Sequence, residues 1–327
     1  MTTPIVIDLI AIGAVLAVLA GIALPLSRAI RIRNAFLFEP GSPADFEWKP
    51  SAMPADFRQE CAPASPEFVS AVDRLGIAAL PNDWSKALAL AAHLAEHARD
   101  RGPIRADLHT MYRMILEGYG YCSDFTKVYL ALCHAAGLSA RQWGFSFDGF
   151  GGHGHAVIEV FDHQRDRWVF LDVYNNFHAL DSQTREPLSA LQVRDSVLGV
   201  RPEPLIQQNG PGRPGWEIEE ERRDYYRRGA NDWYLWWGNA VFSQDKHPVV
   251  RGARLVSGRL APIAGTFVGQ LPRIRVLRTR ENAPIVERLV ALKRRVIWLV
   301  IALVLLALFA ALVVNVGFGT AVAEAGA

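Results

Sequence analysis

Two long apolar stretches frame the chain and predict a membrane-spanning helix near each end. Residues 9–26 carry no charge, and residues 296–318 contain Asn315 as their one strongly polar side chain. As helices, both stretches are long enough to cross the hydrocarbon core of a bilayer, which is about 30 Å thick. No positive charge precedes the first stretch, which disfavours a cleaved signal peptide. We therefore expect transmembrane helices over residues 5–27 and 296–318.

Apolar residues at helical spacing predict four helices between these stretches. Pro66 opens the first helix, Asn82 or Asp83 caps the second, residues 105–117 form the third, and residues 122–137 form the fourth. Glycine follows the third helix and closes the fourth, as is common at helix ends.

Three segments with strand character follow the fourth helix, over residues 140–147, 155–161 and 168–173. The second and third segments alternate apolar and polar residues and are joined by the short, turn-rich link DHQRDR. A helix followed by an antiparallel hairpin is typical of an α+β fold, in which the helix packs on the sheet.

The remaining segments predict the domain limits. Residues 28–66 are rich in Pro, Ala and acidic residues, which indicates a linker arm. Residues 67–181 hold the predicted helices and strands, and residues 182–287 form an extension rich in aromatic residues and Arg. Within this extension, residues 224–242 either cover the domain as buried packing or lie on the membrane as an interfacial patch.

Composition narrows the classes of function. The chain has 327 residues, of which 50% are hydrophobic, and a formal net charge of +2. Such a small net charge does not suggest a nucleic-acid-binding protein, so we expect no nucleic-acid partner. Cys61, Cys122 and Cys133 are odd in number and form no CxxC pair, which argues against a disulfide framework and against the usual zinc-site spacing.

The candidate chemistry rests on Cys122, His155 and Asp172. Cys122 starts the fourth helix, where the helix dipole and the free backbone N–H groups favour the reactive thiolate. His155 starts one strand of the hairpin and Asp172 lies near the end of the other, so antiparallel pairing brings the two side chains together. A thiol beside an imidazole that a carboxylate orients is the cysteine form of a catalytic triad.

A zinc site is an alternative use of the same region. His153 and His155 lie two residues apart and can point the same way from a strand, and Cys122 can supply a third ligand. We favour the triad because Asp172 already gives His155 a carboxylate partner. We therefore expect no metal and no cofactor.

Neighbouring residues have simpler interpretations. Cys133 is expected in the core, His134 at the surface or in packing, and Asp124 in the first turn of its helix, where it complements the dipole. The backbone amide of Cys122 is an expected oxyanion donor, and the side-chain donor is left open between Trp84 and Tyr121. The glycine-rich loop 148–154 precedes His155 and is placed to shape or gate a cleft.

Three motifs in this order resemble the transglutaminase-like superfamily, which has a papain-like fold: GYCSDF with ALCHAAGLSAR downstream, then GHAVIEV, then WVFLDV. The resemblance covers roughly residues 85–177. It implies that Cys122 is the nucleophile, His155 the general base and acid, and Asp172 the orienting carboxylate.

The chain departs from the family pattern at two positions. Val157 follows the histidine–alanine pair where the family often has an aromatic residue, and Val173 follows the aspartate where the family often has proline. Neither change removes a catalytic group, but both leave the substrate class open.

These features predict a membrane-anchored cysteine enzyme that acts on an amide bond of a peptide or protein through a thioester. Amide hydrolysis is favoured over cross-linking. The alternative is a membrane-bound interaction or assembly module that uses a papain-like domain without chemistry. Basic residues flank both apolar stretches on the side of the central domain, which predicts a cytoplasmic catalytic domain; they are Arg28, Arg31, Arg33, Arg288, Lys293, Arg294 and Arg295.

Overall fold

The computed structural model describes residues 13–15, 29–99, 101–212, 215–256 and 260–325. The chain divides into a compact unit over Leu37–Ala283 and a second unit drawn from its two ends. Its helices of four or more residues, within the described ranges and after residue 28, are α1 (Ala29–Leu37), α2 (Ala44–Glu47), α3 (Pro66–Arg74), α4 (Asp83–Ala95), α5 (Leu108–Leu116), α6 (Cys122–Ala135), α7 (Ala190–Val197), α8 (Glu219–Gly229), α9 (Val241–Lys246), α10 (Pro248–Val256), α11 (Leu260–Phe267) and α12 (Ala283–Ala325).

The strands of the larger unit form one eight-stranded sheet in the order β1-β8-β7-β2-β3-β4-β5-β6. Every pair of neighbours is antiparallel except β1 and β8, which are parallel. The strands are β1 (Phe38–Gly41), β2 (Ala140–Ser146), β3 (Gly154–Asp162), β4 (Arg167–Asp172), β5 (Phe177–Leu180), β6 (Leu205–Gln208), β7 (Trp233–Trp236) and β8 (Ile274–Leu277).

The four helices expected before the strands are present as α3 to α6, and local chemistry sets their ends. Asn82 accepts a hydrogen bond from the Ser85 N–H at 2.8 Å and so caps the N-terminus of α4. Gly137 has a φ of +72° after α6, a left-handed conformation in which a residue with a side chain would be strained. The predicted α+β arrangement, with α6 packed on an antiparallel sheet, is confirmed.

Both faces of the sheet are buried. On one face, α3 to α6 form a helical core with Ile158 and Val160 of β3. On the other face, Val157 and Phe161 of the same strand join an aromatic core. Because successive side chains of a strand point to opposite faces, β3 is buried along nearly its whole length.

The segment 28–66 is not a linker arm. It supplies β1 at the edge of the sheet, and Phe46, Trp48 and Phe57 enter the aromatic core. Pro and acidic residues indicated an arm, but three large aromatic side chains gain more by burial than the segment would gain by remaining extended in water.

The extension 182–287 is likewise continuous with the domain and contributes β6, β7 and β8 to the same sheet. Tyr226, Trp233, Leu235 and Trp237 of this region lie in the aromatic core. Of the two interpretations of residues 224–242, buried packing is therefore the correct one. The predicted boundary after residue 181 falls inside the compact unit Leu37–Ala283.

The two predicted transmembrane segments differ in how much of each the structure describes. The first, 5–27, lies outside the described residues apart from residues 13–15, and the second, 296–318, falls within α12. Across the described ranges, no helix combines the length and the apolar character needed to cross a membrane.

Candidate active site

Cys122 is the first residue of α6 and is partly exposed. The carboxylate of Asp124 accepts hydrogen bonds from the N–H groups of Tyr121 at 3.0 Å and Ile104 at 3.3 Å, which fixes the turn that enters the helix. Phe125, one turn further on, is fully buried in the helical core. The cysteine is therefore held at a rigid helix start, where free N–H groups favour an anion.

His155 and Asp172 meet at one end of the β3–β4 hairpin. The register pairs Ile158 with Leu171, so the start of β3 lies beside the end of β4. His155 Nε2 and Asp172 Oδ2 are 2.6 Å apart, and both side chains are almost completely buried. The expected cross-strand pairing of histidine and carboxylate is present.

Further donors hold the Asp172 carboxylate. Asn175 donates its backbone N–H to Oδ1 at 2.9 Å and its side-chain amide to Oδ2 at 2.8 Å. The hydroxyl of Tyr226 also donates to Oδ2. The Asn209 amide donates to the backbone carbonyl of Asp172 at 3.2 Å, so both the side chain and the backbone of this residue are fixed.

The charged forms of His155 and Asp172 stabilise each other. Burial alone would lower the pKa of His155, but the Asp172 carboxylate and the Cys122 side chain outweigh it and raise this pKa to about 10. Burial opposes ionisation of Asp172, yet His155 and the hydrogen-bond donors keep the pKa of that carboxyl below its ordinary value. The arrangement therefore favours a charged imidazolium beside a carboxylate.

One imidazole nitrogen is left for the thiol. Nε2 of His155 is engaged by Asp172, which leaves the buried Nδ1 for another group. Cys122 lies near enough to raise the pKa of His155. The structure thus brings Cys122, His155 and Asp172 together in the order thiol, imidazole, carboxylate.

Aromatic rings surround the imidazole. The ring of Tyr225 crosses that of His155 edge-on with centroids 5.5 Å apart, and Phe145 packs on His155 at 5.5 Å. Tyr225 also contacts Phe147 and Trp216, each at 4.9 Å. These rings exclude water from His155 and strengthen its interaction with Asp172.

The neighbouring residues behave largely as expected. Asp124 is a helix-capping carboxylate, and Cys133 is fully buried in the core, where burial raises the pKa of its thiol above the ordinary range. His134 packs against Phe242 and bonds the Ala62 carbonyl at 2.9 Å.

The two histidines proposed as alternative zinc ligands have different environments. His153 is exposed in the loop before β3, whereas His155 is buried against Asp172. Within the described ranges, no three residues of the types His, Cys, Asp and Glu are grouped to hold a metal ion.

The two candidates for a side-chain oxyanion donor occupy different places. Trp84 packs edge-on against His178 at 5.1 Å, and Tyr121 is the exposed N-cap residue directly before Cys122. Tyr121 is therefore the better-placed candidate of the two.

In the loop 148–154, the Asp148 side chain accepts a hydrogen bond from the Gly151 N–H at 2.7 Å, which fixes the loop as a compact turn.

Sequence reasoning missed Asn175, Tyr225 and Tyr226. Asn175 follows Asp172 by three residues, a spacing at which an aspartate commonly bonds a later backbone N–H, so this turn was detectable. The two tyrosines lie in α8, far along the chain, and no local pattern links them to the hairpin.

Comparisons with known proteins find a family similarity in the central region. The pattern of the transglutaminase-like superfamily matches residues 74–173, which include Cys122, His155 and Asp172. No curated protein matches the chain. A solved structure from Cytophaga hutchinsonii, provisionally described as a cysteine protease, is 20% identical over 40% of this chain and 46% of its own, with a TM-score of 0.26. That match spans less than half of the other chain and is too limited to support an argument, so the transglutaminase-like region is the informative similarity.

Proposed function

We propose that this chain is a membrane-anchored, transglutaminase-like cysteine enzyme that acts on an amide bond through a thioester intermediate. The observation that carries the proposal is the 2.6 Å contact between His155 Nε2 and Asp172 Oδ2, made beside a cysteine at a helix N-terminus. A buried imidazole held in this way, with its second nitrogen left for a thiol, is suited to proton transfer.

In the first half-reaction, the thiolate of Cys122 attacks the carbonyl carbon of the amide and forms a tetrahedral oxyanion. The backbone N–H of Cys122 is available to donate to this oxygen. The imidazolium of His155 gives its Nδ1 proton to the leaving amine as the carbon–nitrogen bond breaks. The products are a free amine and an acyl thioester on Cys122, with His155 neutral.

In the second half-reaction, an acceptor attacks the thioester carbonyl while His155 takes the acceptor's proton at Nδ1. The carbon–sulfur bond breaks and the Cys122 thiolate and the imidazolium are restored. Water as acceptor gives hydrolysis, and an amine gives cross-linking. We favour hydrolysis, which makes the chain an amidase or peptidase with a peptide or protein substrate.

The proposed anchor is the pair of apolar segments 5–27 and 296–318, and the lipid bilayer is the corresponding partner. Support comes from their composition, since residues 9–26 carry no charge and residues 296–318 contain Asn315 as their one strongly polar side chain. Their basic flanks favour a catalytic domain on the cytoplasmic side.

Selective alkylation tests the proposed nucleophile without knowledge of the substrate. The full-length protein is treated with a low dose of iodoacetamide near neutral pH, and each cysteine peptide is quantified by mass spectrometry. Cys61 is exposed and Cys133 is buried, so the chain carries its own reference thiols. We expect Cys122 to react at least about tenfold faster than Cys61, because a helix N-terminus and a neighbouring imidazole favour the reactive form of a thiol.

Two results decide the outcome. In the His155→Ala variant, the advantage of Cys122 over Cys61 should disappear. A wild-type protein in which Cys122 reacts no faster than Cys61 would contradict the enzyme and favour the interaction module.

A further inference from the structure

Tyr226 touches the candidate site from outside the region that resembles the transglutaminase-like superfamily. That region ends at residue 173, whereas Tyr226 lies on α8. The Tyr226 side chain is buried against Phe145 at 5.1 Å and Phe177 at 5.8 Å, ring to ring. Its hydroxyl donates a hydrogen bond to Asp172 Oδ2.

The Tyr226 hydroxyl and the His155 imidazole share one carboxylate oxygen. Both bond Oδ2 of Asp172, which also accepts the side-chain amide of Asn175, while Oδ1 accepts the backbone N–H of Asn175. Asn175 is tied to Asp172 through the chain itself, since only two residues separate them. Tyr226 is different, because its contact requires the folded extension to lie against the hairpin.

A phenol that donates to a carboxylate stabilises its charged form. Burial and the neighbouring Asp172 raise the pKa of Tyr226 well above its ordinary value, so the phenol keeps its proton and remains a donor at neutral and acidic pH. A carboxylate that remains charged in turn stabilises the imidazolium, which stabilises the thiolate.

We propose that Tyr226 is a positioning residue that keeps Asp172 ionised and directed at His155, so that α8 belongs to the catalytic apparatus. The inference rests on the proposed function. Other titratable or charged groups face this carboxylate or the side chains around it, and all of them are unchanged in the variants below. They are His155 of β3, Cys122 of α6, Tyr174 after β4, and Tyr225 and Arg222 of α8.

The rate of Cys122 alkylation against pH tests this role in the full-length protein. Removal of the Tyr226 hydroxyl makes the charged form of Asp172 less stable. As the solution is acidified, the ion pair between His155 and Cys122 should therefore be lost at a higher pH than in the wild type. For Tyr226→Phe, we expect the acidic midpoint of Cys122 alkylation to rise by about one pH unit, since a hydrogen bond to a charged group is worth roughly that shift. Alkylation of Cys61 serves as the reference in the same sample.

Tyr129→Phe is the matched control. Tyr129 is also fully buried, and its hydroxyl donates to the Ala87 carbonyl at 2.8 Å within the helical core. This variant loses one buried phenol hydrogen bond, as Tyr226→Phe does, but it should leave the midpoint unchanged. A general loosening of the fold would move both variants alike and would contradict the proposal.

A double variant separates the proposed role from packing. In an Asp172→Asn background, Tyr226→Phe should cause no further shift, because the charge that the phenol stabilises is gone. If Tyr226→Phe does not fold, a ring-fluorinated tyrosine at position 226 keeps the shape and strengthens the donor, and it should lower the midpoint.

The two proposals fail in different ways. A wild-type midpoint for Cys122 equal to that of Cys61 would refute the proposed function. The role of Tyr226 would be refuted if Cys122 has a lower alkylation midpoint than Cys61 in the wild type but neither Tyr226→Phe nor the fluorinated tyrosine changes it. That result would still agree with the proposed enzyme.

Discussion

Arg141 and Glu159 stand opposite each other on β2 and β3 and form an ion pair inside the aromatic core. The Arg141 Nη2 and Glu159 Oε2 atoms are 2.7 Å apart, and both side chains are almost completely buried. Glu159 also accepts hydrogen bonds from the Trp143 indole and from the Ala190 N–H at the start of α7. The guanidinium lies over the ring of Trp168 at 4.1 Å. This pair therefore joins two strands, a helix and the aromatic rings.

Glu159→Ala is expected to destabilise the protein by about 3–5 kcal/mol, because it leaves Arg141 buried without its carboxylate partner. The measurement is the free energy of urea unfolding. Lys49→Ala is the control, since it breaks an exposed ion pair with Asp166 and should cost less than about 1 kcal/mol. Equal losses in the two variants would show that Glu159 does not organise the core.

The local parts of this fold could be predicted, and the long-range parts could not. Helix α6 and the β3–β4 hairpin follow from apolar spacing, glycine at a helix end and a short turn, and all three are local signals. Glu159 shows the limit, because a polar residue in an alternating strand normally indicates a solvent-facing side. Here its partner Arg141 lies on another strand, so the polar position is buried.

The candidate site shows the same difference between local features, which could be predicted, and long-range features, which could not. Cys122, His155 and Asp172 were recognisable as candidates because two of them lie on one hairpin and the third starts a helix. Strand β1 and the role of Tyr226 were not recognisable, since each depends on a partner distant in the sequence. In addition, Pro40 within β1 disfavours a strand on local grounds.

Cys122→Ala should abolish amide turnover, with a loss of at least about three orders of magnitude, while the protein stays folded. A small side chain at a partly exposed helix start contributes little to stability. The measurement is release of amine from a panel of peptide amides, with circular dichroism to check folding. Cys61→Ala should keep full activity, since Cys61 is exposed. Substantial turnover by Cys122→Ala would remove it as the nucleophile.

His155→Ala should be nearly as damaging as Cys122→Ala, and Asp172→Asn less damaging. In the proposed mechanism the imidazole transfers the proton, whereas the carboxylate orients and stabilises the imidazole. Steady-state rates on the same amides give the ranking. His153→Ala is the control, because its exposed side chain lies outside the proposed triad. Loss of activity in His153→Ala with activity retained in His155→Ala would place the base on the wrong histidine.

The raised pKa of His155 predicts how stability depends on pH. A group whose pKa is higher in the folded state than its unfolded value of 6.5 binds its proton more tightly when folded. The stabilisation is fully present below pH 6.5 and is lost as the pH rises through about 10. Urea unfolding of wild type and His155→Gln should therefore differ most near pH 6 and converge toward pH 10. A difference that grows with pH would contradict the assigned ion pair.

The proposed topology predicts which cysteines a membrane-impermeant maleimide can reach in intact cells. Cys61 is exposed on the folded domain, so it should be protected in intact cells and labelled after lysis. A cysteine introduced as Ala327→Cys should be labelled in both cases, because two spans with a cytoplasmic domain between them place both termini outside the cytoplasm. The reverse pattern would place the domain outside the cytoplasm and direct the search to substrates of the cell envelope.

The parallel pairing of β1 with β8 has a consequence for synthesis. Phe38 pairs with Ile274, so the first strand leaves the ribosome long before its partner exists. Contacts this distant in sequence form slowly, because the intervening chain must first be ordered. A polypeptide that stops before Ile274 keeps β1 without a partner and leaves β7 as an open edge, and unpaired edges invite aggregation. Premature termination should therefore yield insoluble chains, even when Cys122, His155 and Asp172 have all been made.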